Sequence, residues 1–94
     1  MIGVADIMAV VKVFPEGDEV SLDGITEQVK GKLPQGYKLV RTDKEPIAYG
    51  LNALILFITL PEQTEGGTDF LEDTLSSIQG VSHVEVVNIT RLGF

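Results

Sequence analysis

Few side chains in this sequence of 94 residues could do chemistry, and they fall into three groups. His83 is the only histidine, with Glu85 two residues along. On a strand that spacing puts both on one face, as an acid–base pair requires. A lone strand histidine beside a carboxylate is usually a surface pair, so no catalytic residue is expected. The second group is Glu62, Glu65, Asp69, Glu72 and Asp73, whose oxygens suit a hard cation in kind but lack the spacing of a calcium loop. A solvated acidic face is expected instead, with no metal and no cofactor site. The third group is Pro46-Ile47-Ala48-Tyr49-Gly50-Leu51, a proline-led turn that delivers an aromatic and a glycine into an apolar run.

Composition removes several function classes. There is no cysteine, which excludes disulfide scaffolds, zinc ribbons, iron–sulfur clusters and thiol catalysis. Seven basic and fourteen acidic side chains leave a net charge of −7. That charge repels phosphate backbones and anionic lipid heads, so neither nucleic acid nor a membrane is the expected direct partner; a basic protein patch fits better. No segment reads as a signal peptide, and a cytoplasmic site is the default expectation. Neither GxxxxGK[ST] nor a GxGxxG after a strand occurs, so the chain is not expected to hold a nucleotide itself.

The elements that position these groups follow from apolar spacing. Val4 to Phe14 alternates as a strand, with Ala5, Ile7, Ala9, Val11 and Val13 in one apolar row. Pro15 to Glu19 reads as an acidic turn, and Ser21 as the cap of a helix whose stripe is Leu22, Ile25, Val29 and Leu33, ended by Pro34 and Gly36. Tyr37 to Lys44 reads as a second strand, charged enough for a sheet edge. The third strand is the apolar run itself. Leu54, Leu56, Ile58 and Leu60 line one side and Leu51, Ala53, Ile55 and Phe57 the other, so cover is expected on both faces. Pro61 to Gly67 is then an acidic loop, and Thr68 a cap for a helix with Phe70, Leu71, Leu75 and Ile78 in its stripe, closed by Gly80. Val81 to Leu92 is the last strand, and a change of alternation places a bulge near Val86–Val87.

The order β-α-β-β-α-β, with the halves joined through Asp43–Gly50, predicts an α+β ferredoxin-like sandwich in one domain over 1–94. It has a four-stranded antiparallel sheet, both helices on one face, and the first and third strands central. The open face, with Met8, Val10 and Phe14, invites a contact. Acylphosphatases share this topology but need an anion cradle after the first strand, where this chain has Pro15-Glu16-Gly17-Asp18-Glu19 and would expel a phosphate. RNA-binding members need aromatics and a basic run, and this chain has six aromatics and no such run.

Pro46-Ile47-Ala48-Tyr49-Gly50-Leu51, together with Val86-Val87-Asn88-Ile89-Thr90-Arg91-Leu92, resembles the nucleotide-exchange domain family of translation elongation factor 1-beta in its short archaeal style. The resemblance covers essentially the whole chain. It implies the ferredoxin-like fold, no bond chemistry, and a role in releasing GDP from elongation factor 1-alpha, the GTPase partner, so that GTP can rebind. It further implies that Pro46, Ile47, Tyr49, Gly50, Arg91 and Leu92 touch the partner, with Tyr49 as an inserted aromatic and Arg91 at the GTPase's magnesium site. Asn52 and Ala53 stand where eukaryotic members often carry lysine, Arg91 replaces a terminal lysine, and Gly93-Phe94 extends past the usual end. Absence of the eukaryotic amino-terminal regions implies a free-standing exchange domain. The alternative is a ferredoxin-like small-molecule-binding or scaffold module without exchange activity, in which the Tyr49 ring covers the end of the sheet core and Arg91 solubilises a frayed terminus.

Overall fold

The computed structural model describes residues 6–33, 36–61 and 68–91, without the side chains of Asp6, Thr68 and Arg91. Strand β1 (Asp6–Pro15) leads to helix α1 (Leu22–Lys32), strand β2 (Lys38–Pro46), a single turn at Ala48–Gly50, strand β3 (Asn52–Pro61), helix α2 (Thr68–Ser76) and strand β4 (Val81–Arg91). The strands form one antiparallel sheet in the order β2-β3-β1-β4. The strands with the fullest apolar rows are therefore central, and the fold is the ferredoxin-like α+β sandwich. Val4, Pro34, Glu62, Glu65, Gly67 and Leu92 lie outside the described residues.

Both helices sit on the same side. Ile25 and Val29 of α1 and Leu71 and Leu75 of α2 join Ala9, Val11, Val13, Leu54, Leu56, Ile58 and Leu60 in one buried cluster. Each of these larger aliphatic side chains contributes about 1.5–3 kcal/mol through burial. Helix α1 begins where the Ser21 hydroxyl accepts from the Gly24 N–H at 3.1 Å, with Asp23 in the first turn and Lys30 and Lys32 in the last, matching the helix dipole at both ends. It ends at Lys32, where the Leu33 N–H still donates to the Val29 carbonyl.

Three expectations are corrected. The second strand runs on to Pro46, so Asp43 to Pro46 belong to the sheet and the link between the halves is only the turn before Asn52. A proline can end an edge strand because no partner needs its missing N–H. Helix α2 stops at Ser76, and Gly80 instead closes the turn into β4, with φ 95°. No helix or strand among the described residues covers the outer face of β3: Ala53 is buried, but Leu51, Ile55 and Phe57 are half-buried. Long side chains from neighbouring strands do the covering. Arg41 Cζ lies 4.4 Å from the Phe57 ring centroid, and Lys12, opposite Ile55, reaches across β3 to pair with Glu45 of β2. Lysine and arginine stems can roof an apolar strip while keeping their charges wet, which alternation alone does not reveal.

Candidate functional site: the Tyr49 turn and the end of strand β4

The β2–β3 hairpin closes on Pro46 opposite Asn52, followed by a hydrogen bond from the Ile47 N–H to the Leu51 carbonyl at 2.8 Å. The Leu51 N–H then donates to the Ala48 carbonyl at 3.3 Å. Between them, Tyr49 (φ 63°, ψ 29°) and Gly50 (φ 74°) are both left-handed. Positive φ at both central residues is the signature of a type I′ turn, whose twist matches that of antiparallel strands and whose first central position favours asparagine, aspartate or glycine. Here that position holds a tyrosine. Among the described residues Tyr49 is the only non-glycine with positive φ, and it is 97% exposed. Left-handed backbone costs a residue with a β-carbon about 1–2 kcal/mol, and the ring recovers nothing by burial. The alternative in which the ring covers the end of the core is therefore excluded. Ile47 is half-buried, while Pro46, Ala48 and Gly50 are exposed around it.

The acidic loop after β1 lies beside this turn. Pro15, Gly17 and Asp18 share a cavity of about 100 Å³ with Gly50, Leu51 and Asn52. Glu16, Asp18 and Glu19 are exposed, so the Tyr49 end of the molecule is negatively charged and unsuited to a phosphate, as the sequence implied.

The second group of implied contact residues is elsewhere. Arg91 is the last residue of β4 and falls opposite Ile7 near the start of β1, whereas the residues next to the Tyr49 turn fall opposite the end of β1, Leu54 against Val13. The structure therefore brings Pro46, Ile47, Tyr49 and Gly50 together and sets Arg91 at the opposite end of the sheet. With about 3.3 Å per residue along β3, the two lie roughly 25 Å apart or more. Strand β4 extends to Arg91.

His83 and Glu85 do share the open face, opposite Phe14 and Lys12, but the His83 ring packs on that of Phe14 at 5.5 Å between centroids. Asp69 and Asp73 are exposed on α2, and no cluster of metal-binding side chains occurs among the described residues. No helix among the described residues is long and apolar enough to cross a membrane. The sequence reading missed that Tyr49 is left-handed, for which the signal was present: Tyr-Gly stands between two strands where Asn-Gly would mark a type I′ turn. It also missed that Val87 and Ile89 are about half exposed, at 48% and 51%.

The family model described as "EF-1 guanine nucleotide exchange domain" matches residues 8–92, which include the Tyr49 turn and all of β4. The chain is 65% identical over 89 residues to elongation factor 1-beta of Sulfurisphaera tokodaii, covering 95% of this chain and 98% of that protein. With the proteins of the same name from Metallosphaera sedula and Saccharolobus solfataricus the identities are 62% and 61%, with the same coverage. A sandwich whose matched span runs from β1 through the Tyr49 turn to Arg91, with relatives this similar over nearly their whole length, belongs to the EF-1 guanine nucleotide exchange domain family.

Proposed function

We propose that this protein, as a single domain in the cytoplasm, promotes release of GDP and reloading of GTP on elongation factor 1-alpha during translation elongation. It does so without bond chemistry of its own. The observation that carries this reading is the Tyr49 ring, 97% exposed on a left-handed backbone. An exposed aromatic held in a strained turn is what an interface anchor requires, because the ring is presented before binding and loses little freedom on docking. Aromatic anchors commonly contribute 2 kcal/mol or more. Pro46 and the Ile47–Leu51 hydrogen bond hold the base of the turn, and Gly50 supplies its second left-handed residue.

Arg91 has the second role, at the other end of the sheet, with Leu92 beside it in the contact. GDP on a GTPase is held partly by a magnesium ion that bridges phosphate oxygens to the protein. A guanidinium placed among the metal's carboxylates offsets their charge once the ion leaves, and arginine does this through bidentate contact without occupying the metal position. The metal then returns less readily, and GDP is held less tightly. The coupling is reciprocal: a 3 kcal/mol loss of GDP affinity, roughly 150-fold, appears equally as a loss of affinity for the exchange protein when GDP is bound.

The test is release of a fluorescent GDP analogue from the cognate GTPase, with and without this protein. Micromolar protein should accelerate release, and Tyr49→Ala and Arg91→Ala should each slow it while leaving the fold intact. Arg91→Ala should also make the remaining activity less sensitive to added magnesium. No acceleration by the wild-type chain would leave the small-molecule or scaffold module as the reading.

A further inference from the structure

From His83 to Val86, strand β4 matches β1 residue for residue. Val84 and Val86 lie opposite Val13 and Val11 on the helix-bearing side, and His83 and Glu85 lie opposite Phe14 and Lys12 on the open side. The register then slips: Val87 has no partner, and Asn88 falls opposite Val10. Beyond it, Ile89 falls opposite Ala9, Thr90 opposite Met8 and Arg91 opposite Ile7. Side chains alternate with a period of two, so without the extra residue Ile89 and Arg91 would have taken open-side positions. That side already carries cations toward this end, since Lys38 falls opposite Thr59 and Arg41 lies over Phe57. By backbone register, the slip moves positions 89 and 91 to the side of the core. Ile89 is nevertheless 51% exposed while its register partner Ala9 is fully buried, so the described side chains of the helical layer leave it about half open.

We infer that the bulge at Val87 is a positioning device that presents Ile89 and Arg91 together on the helix-bearing side, and that Ile89 is the apolar part of the contact, fitting an apolar patch beside the GTPase's metal site. The inference rests on the role given to Arg91 above. An aliphatic side chain next to a cation excludes water from the ionic contact, and the contact strengthens as it dries. The extra residue in β4 is then what joins these two functions on one face.

The experiment uses the full chain with GDP-loaded GTPase and three variants: Arg91→Ala, Ile89→Ser, and the double variant Thr90→Arg/Arg91→Thr, which moves the arginine to the other face without changing composition. Thermal unfolding confirms that each is folded. The double variant should exchange as slowly as Arg91→Ala. Ile89→Ser should raise the half-saturating concentration about tenfold while changing the maximal rate less than twofold, a split that a general loosening of β4 would not give. Wild-type exchange by the double variant alongside slow exchange by Arg91→Ala, or an unchanged half-saturation for Ile89→Ser, overturns this inference alone. Wild-type exchange by Arg91→Ala overturns the role of Arg91 and the inference with it.

Discussion

Tyr49 and Gly50 are consecutive left-handed residues, with φ 63° and 74°, and only Tyr49 carries a β-carbon that disfavours the conformation. Function and stability therefore oppose each other at position 49. Tyr49→Gly should raise stability by up to about 1 kcal/mol, the strain relieved being partly cancelled by the greater freedom of glycine in the unfolded chain. Tyr49→Ala, which keeps the strain, should leave stability within about 0.5 kcal/mol of wild type because the ring is already in solvent. Both should lose exchange to the same degree. Urea unfolding run beside the GDP-release assay checks this; a large loss of stability in Tyr49→Ala would mean that the ring packs on the core.

Glycines 50 and 80 should differ in what alanine costs. A β-carbon at Gly50 meets nothing within 4 Å, so Gly50→Ala adds only backbone strain, about 1 kcal/mol. At Gly80, φ 95° combines with a contact of 3.0 Å to Val20 Cγ1, so Gly80→Ala should cost about 2 kcal/mol or more. Equal denaturation midpoints for the two variants would show that Val20 yields without cost. Exchange should fall in Gly50→Ala, whose turn carries Tyr49, and hold in the folded fraction of Gly80→Ala.

Arg41 should stabilise mainly through its place over the Phe57 ring. Its ion pair with Asp43 is long, at 3.6 Å, and both side chains are more than half exposed. Arg41→Ala should cost about 0.5–1 kcal/mol, with most of the difference persisting in 1 M NaCl, because salt screens the ion pair and not the packing of the stem. A difference that vanishes in salt would assign the effect to the ion pair.

Ser21→Ala should destabilise by about 1 kcal/mol, since the hydroxyl that accepts from the Gly24 N–H is removed. Ser21→Asp should retain most of the stability, as aspartate can take the same bond at the positive end of the helix dipole. Exchange per folded molecule should be unchanged in both, which circular dichroism melts beside the GDP-release assay would verify.

The element order and the two central strands were legible in the sequence because the alternation in β1, the continuous apolar run of β3 and the stripes Ile25–Val29 and Leu71–Leu75 are local patterns with one way to bury them. The bulge was legible for the same reason: an apolar row cannot change parity at Val86–Val87 without an extra residue. Tertiary structure decided what depends on partners far along the chain. Whether the outer face of β3 needed a second layer depended on Arg41 and Lys12 reaching it from neighbouring strands, and nothing local to β3 encodes that reach. Whether Tyr49 and Arg91 stood together depended on strand order and direction. Both residues follow a strand's own pattern, but antiparallel pairing through β1 carries the end of β4 away from the turn between β2 and β3, and so sets the two at opposite ends of the sheet.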